Sequence, residues 1–116
     1  APRKSDQVRC AHILIKHRES RRPSSWRDPN ITLSPEEARA HLLSLLPTIH
    51  SLADFQRIAS ERSDCSSAQK GGDLGWFGRG QMQRPFEEAA FALQKGEMTR
   101  EPVVTDSGFH LILRLE

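Results

Sequence analysis

The chain has 116 residues, 36% hydrophobic and 28% charged, with a formal net charge of +2; that suits one domain whose core needs no metal or disulfide staple. No apolar run approaches the ~20 residues of a membrane helix, residues 1–7 are unlike a signal peptide, and Cys10 and Cys65 lack CxxC spacing, so free thiols and a cytosolic or nuclear compartment are expected. Charge is uneven: residues 1–27 hold eight Lys/Arg against Asp6 and Glu19, and the remainder nine against thirteen acidic residues, which fits either an anion-binding end or a solvated basic face.

Residues 8–16 (VRCAHILIK) read as a strand, with Ala11, Ile13 and Ile15 facing a core and Cys10, His12, Leu14 and Lys16 on the other face. A long loop follows over residues 17–33, carrying Arg21, Arg22, Pro23 and Pro29; loops of that length in a small domain are usually functional or mobile. Ser34-Pro35-Glu36-Glu37 is a helix start: a capping serine, a proline whose missing N–H costs nothing, and a glutamate that completes a capping box. Ala38, Leu42, Leu45, Leu46 and Ile49 share one stripe, and Pro47 ends or kinks the helix near Leu46. A second helix spans about residues 52–62, burying Phe55, Ile58 and Ala59. Residues 63–80 are Gly/Ser-rich with a short apolar piece at 74–77. Pro85 opens a third helix with Phe86, Ala89, Ala90 and Leu93 inward and Gly96 as its C-cap. Residues 101–105 and 109–115 read as a hairpin through Asp106-Ser107-Gly108; on its last strand Phe109, Leu111, Leu113 and Leu115 share one face, and His110, Ile112 and Arg114 the other. The class is α/β with a mostly antiparallel sheet.

His12 and His110 lie on strands at opposite ends of the sequence, and would sit together if those strands pair. Taken singly, a sheet-face histidine is more often a hydrogen-bonded structural residue than a catalyst. Cys65, beside Asp64, could form a thiol nucleophile with an imidazole, but no protease signature accompanies it. A zinc site from Cys65, His12 and His110 has suitable ligand types without the spacing. Lys16, Arg21 and Arg22 are the anion-site candidates, since arginine forks pair bidentately with phosphate oxygens.

The blocks VRCAHILIKH, SRRPSSWRDP, SDCSSA, GGDLGWFGRGQMQRPFEEAAFAL, GEM and VTDSGFHLILR occur in order from residue 8 onward. Together they resemble the parvulin-type peptidyl-prolyl cis/trans isomerases, in particular the subgroup directed to phosphorylated Ser/Thr-Pro. The resemblance implies a four-stranded antiparallel sheet surrounded by about four helices, a tail at 1–7 and an isomerase domain at 8–116. It implies a phosphate-binding triad of Lys16, Arg21 and Arg22, a proline-ring pocket of Leu74, Met82 and Phe86, and Gln83 positioning the substrate backbone. His12, Cys65, Thr105, Ser107 and His110 would form the polar catalytic cluster, with no cofactor or metal. Its partners would be phosphorylated Ser/Thr-Pro peptides or proteins, without nucleic acid or membrane, and the chain a monomer. Longer members carry a WW module ahead of this domain; seven residues precede the first strand here, and Trp26 and Trp76 lie inside the isomerase blocks, so that module is expected to be absent. Pro47 departs from the family pattern. The alternatives are a non-catalytic phosphopeptide-binding module on the same fold and, with less support, a nucleic-acid binder resting on the basic end.

Overall fold

In the computed structural model, which describes residues 7–116, the alternating segment forms the strand β1 (Gln7–Ile15) at the centre of a sheet. It pairs antiparallel with β2 (Asp73–Gly78) on one side and β4 (Gly108–Arg114) on the other, and β3 (Val103–Thr105) pairs with β4, giving the order β2-β1-β4-β3. The first and last strands are therefore neighbours. Gln7 is the first residue of β1 rather than part of a tail, and the rest of the expected tail lies outside the described residues.

Among the described residues three α-helices surround the sheet: α1 (Pro35–Leu45), α2 (Leu52–Arg62) and α3 (Arg84–Ala92). Two short 3₁₀ stretches, Leu46–Thr48 and Ser66–Lys70, take the place of a fourth helix. The capping box forms as its residue types require: Ser34 Oγ accepts from the Glu37 N–H, and the Glu37 carboxylate accepts from the Ser34 N–H. Pro47 cannot donate to Leu43, so α1 tightens into 3₁₀ geometry at Leu46. Gly96 does not cap α3. The helix ends at Ala92 with Leu93 already extended, and Gly96 (φ +85°) donates its N–H to the Arg114 carbonyl in the turn beyond.

The two sheet faces carry separate cores. On one, Ala11, Ile13 and Ile15 of β1 and Phe109, Leu111 and Leu113 of β4 pack against Ala38 and Leu42 of α1 and Phe55, Ile58 and Ala59 of α2. On the other, Val8, Cys10 and Ile112 meet Phe77 of β2 and Phe86, Ala90 and Leu93 on and after α3. A fully buried Phe, Leu or Ile contributes about 1.5–3 kcal/mol of hydrophobic stabilisation, so each core is substantial. The second face is thus roofed by α3, and His12 and His110 lie buried on it against Phe86. Among the described residues no helix is long and apolar enough to cross a membrane.

Candidate active site

His12 and His110 meet, because the antiparallel register of β1 and β4 sets His12 opposite Ile112 and Leu14 opposite His110, a diagonal that places the rings on one face. Their Nδ1 atoms are 3.0 Å apart and the rings are stacked at 5.1 Å. The second nitrogen of His110 lies 2.7 Å from Thr105 Oγ1, which also accepts the Ser107 N–H. Ser107 Oγ accepts from Gln83 Nε2 at 2.9 Å, and Gln83 Oε1 accepts the Asp106 N–H. Five expected site residues therefore form one chain, His12–His110–Thr105–Ser107–Gln83, linking the sheet centre to the start of α3.

A neutral imidazole offers one donor and one acceptor. If the Thr105 hydroxyl donates to His110 Nε2, His110 donates to His12, and His12 carries its proton on Nε2. If His12 donates instead, His110 donates to Thr105 and His12 Nε2 is bare. The two tautomer patterns differ only in proton positions along the chain, and His12 Nε2, buried and without a hydrogen-bond partner among the described residues, is where the difference appears. Both rings are neutral at pH 7: burial pushes His12 down to about 4, and burial reinforced by neighbouring His12 holds His110 well below the usual range.

Phe86 stands edge-on to both imidazoles, 5.4 Å from His12 and 5.1 Å from His110, and touches Phe77. Leu74 and Met82, half-buried, pack in the same apolar cluster. The apolar trio is thus assembled against the histidine pair. Cys65 is not joined to it: the half-buried thiol caps the 3₁₀ stretch, with Sγ accepting the Ser67 N–H at 3.5 Å, and no hydrogen bond links it to either imidazole. Among the described residues no three His, Cys, Asp or Glu groups are gathered as a metal would require, so the zinc alternative finds no ligand set.

Lys16 follows the end of β1, its Nζ donating to the Ser24 carbonyl at 2.8 Å. Arg21 and Arg22 are exposed and, among the described residues, neither is ion-paired. The Arg21 N–H donates to the Asp106 carbonyl at 2.8 Å, which draws the basic loop onto the hairpin bearing Ser107. The loop is pinned rather than trailing: Arg18 N–H bonds Leu33, Ile31 N–H bonds Pro23, and Ser25 and Asp28 bond each other. Sequence reasoning set Asp64 beside Cys65 but missed its role here: it is 6% exposed and bonded to this loop. Its partners lie 37 to 48 residues away in sequence, beyond any local pattern; an acidic residue beside a polar serine at a helix end was the sole cue.

Two glycines make the geometry possible. Gly72 (φ +88°) passes so close to β1 that a Cβ would lie 2.5 Å from the His12 carbonyl oxygen, and its own carbonyl accepts the His12 N–H. Gly108 (φ +141°) passes equally close to the Ile15 carbonyl.

A family model described as Rotamase, the PPIC-type PPIase domain, matches residues 12–116. The chain is 58% identical over 110 residues to the peptidyl-prolyl cis-trans isomerase pin1 of Rhizopus delemar, covering 94% of this chain and 73% of that protein. To Pin1 of Arabidopsis thaliana it is 53% identical over 114 residues, covering 94% of this chain and 95% of the other. The solved structure of peptidyl-prolyl isomerase ESS1 from Candida albicans superposes with a TM-score of 0.86 at 40% identity, over 100% of this chain and 66% of that one. The chain thus spans about two thirds to three quarters of these two fungal relatives and nearly all of the plant one.

Proposed function

The chain belongs to the PPIC-type, or parvulin-type, peptidyl-prolyl cis/trans isomerase family, and from that premise we propose that it turns peptide bonds in which phosphorylated serine or threonine precedes proline. The observation that carries the specificity is the pair of exposed guanidinium groups of Arg21 and Arg22, not ion-paired among the described residues, on a loop tied to the catalytic hairpin through the Asp106 carbonyl. Lys16, at the root of the same loop, adds a third cation.

Rotation about a peptide bond must overcome ~18–20 kcal/mol of lost amide resonance. No bond is made or broken, so the protein need only bind the twisted amide better than either planar form. Phe86, Leu74 and Met82 hold the proline ring as an apolar anchor, and Lys16, Arg21 and Arg22 hold the phosphate as a charged one. Between fixed ends the carbonyl turns over the polar chain. As the amide nitrogen becomes pyramidal it gains a lone pair, and neutral donors suffice to meet it, which suits imidazoles that burial keeps unprotonated. Gln83 already spends one proton and one lone pair on the hairpin; its second proton and second lone pair serve the substrate backbone. Cys65 acts through its local field, not as a nucleophile.

Exchange spectroscopy on a Ser-Pro and a phosphoSer-Pro peptide tests the reading. Acceleration should be confined mainly to the phosphopeptide, and Arg21→Ala with Arg22→Ala should abolish the preference, at least about tenfold for the lower end of a charge-assisted bond. Slow isomerisation of the unphosphorylated peptide should persist. Equal acceleration of both peptides by the unaltered protein would discard the phosphate site, and equal losses on both in the variant would break the division of labour.

A further inference from the structure

Asp64 follows Ser63, the C-cap of α2, lies beside Cys65 and takes no part in the chemistry above. A carboxylate so buried needs partners, and its side-chain partners among the described residues come from the basic loop and from Lys16 at its root. One oxygen accepts the backbone N–H of Lys16 at 2.9 Å. The other accepts the Ser25 hydroxyl at 2.9 Å and the Arg27 guanidinium at 3.4 Å. The backbone N–H of Asp64 is spent on the Leu14 carbonyl at 2.7 Å, which fixes the carboxylate to the sheet. One side chain thus grips the loop at its root and at its return, and Arg21 and Arg22 lie between the two gripped points. A second tie runs in parallel: the Trp26 indole N–H donates to the carbonyls of Ser63 and Cys65 at 2.9 and 3.1 Å.

We infer that Asp64 is a positioning residue that pre-sets the loop bearing Arg21 and Arg22, and that its place next to Cys65 fixes the anion site and the thiol's segment relative to each other. The inference rests on the phosphate-directed reading for its effect on substrates. An arm held on both sides of Arg21 and Arg22 needs less ordering when ligand arrives, so losing the clamp should weaken binding more than turnover.

Asp64→Asn keeps the shape but sets an amide N–H₂ against a donor. It should raise KM for the phosphoSer-Pro peptide roughly tenfold, the size of one charge-assisted bond, with kcat within about threefold. Ser25→Ala with Arg27→Met removes the clamp from its exposed side, leaves the Lys16 contact, and should raise the same KM less while sparing the unphosphorylated peptide. All three changes together should be no worse than Asp64→Asn alone, because groups acting through one contact are not additive. Equal loss on both peptides, or multiplying effects, would overturn the inference. A parent protein without phosphate preference would sink the specificity reading instead; the clamp is then judged by amide exchange. Asp64→Asn, or the surface variant if that one does not fold, should speed exchange at the Trp26 indole and neighbouring loop amides about tenfold with the core unchanged. Unaltered loop protection would refute the clamp.

Discussion

Acidifying the protein from about pH 7.5 to pH 5 should strip stability from it before its carboxylates begin to matter. His12 is wholly buried and its native value is pushed down to about 4, whereas in the unfolded chain it titrates near the ordinary 6.5. Above 6.5 both states are neutral and the stability is intact. Below 6.5 the unfolded chain takes up a proton that the native site refuses, so unfolding free energy falls by about 1.4 kcal/mol per pH unit until the native pKa is reached. At pH 5 the loss from His12 alone is about 2 kcal/mol, a large part of the 5–15 kcal/mol typical of a domain. His110 and the partly buried His41, both also depressed, add in the same direction. Glu37, Asp54 and Asp73 are held below their ordinary values by hydrogen bonds from Ser34, His50 and Arg9 respectively, so their contribution is lost only as pH falls further, through the carboxylate range. Urea unfolding at half-unit pH steps measures the slope, and the imidazole Cε1–H shifts give the native pKa of each ring. A flat stability profile between pH 7 and 5, or a His12 that titrates above pH 6 in the native state, would refute the buried neutral pair.

On the alkaline side, burial pushes Cys10 up to about 12, so the unfolded chain ionises first and stability should fall as pH rises above 9; Cys10→Ala should flatten that limb in the same urea assay. Cys65→Asp should retain isomerase activity within about tenfold, ~1.4 kcal/mol of barrier, as measured by peptide exchange, and capture of a covalent adduct on Cys65 would refute the non-covalent role. Gly72→Ala places a Cβ against the His12 carbonyl at a left-handed φ; it should cost at least about 1–3 kcal/mol in urea unfolding and lower kcat/KM in the fraction that remains folded, and a variant neutral in both would contradict the close approach.

What could be read from the residues was what local chemistry decides. The two-residue period of β1 and β4, the capping box at Ser34 and the break at Pro47 each depend on neighbours within four positions, and each formed as expected. The strand β2 was read only as a short apolar piece, because Gly75 and Gly78 dilute its alternation and an edge strand takes its identity from the strand it joins. Gly96 looked like a helix cap because glycine takes a positive φ at little cost, yet that conformation serves a turn against β4. The histidine pair was legible as a conditional, true if the terminal strands pair; the roof that α3 lays beside it, which makes both rings neutral, depends on packing between distant segments. The hold of Asp64 on the basic loop was out of reach for the same reason.

The pairing of β1 with β4 also sets a timetable. His12 and its partner are 98 positions apart, and at about 5–20 residues per second of synthesis the first waits on the order of 5–20 s for the second to be made. Both cores draw on β4, through Leu111 and Leu113 on one face and Ile112 on the other, so neither can close before it arrives. Until then β1 offers apolar faces and an unpaired edge to its surroundings, the kind of strand that adheres to other chains. A peptidyl-prolyl isomerase with this topology would thus pass through a prolonged exposed phase in its own biogenesis, and a chain cut short before β4 would have neither stability nor site.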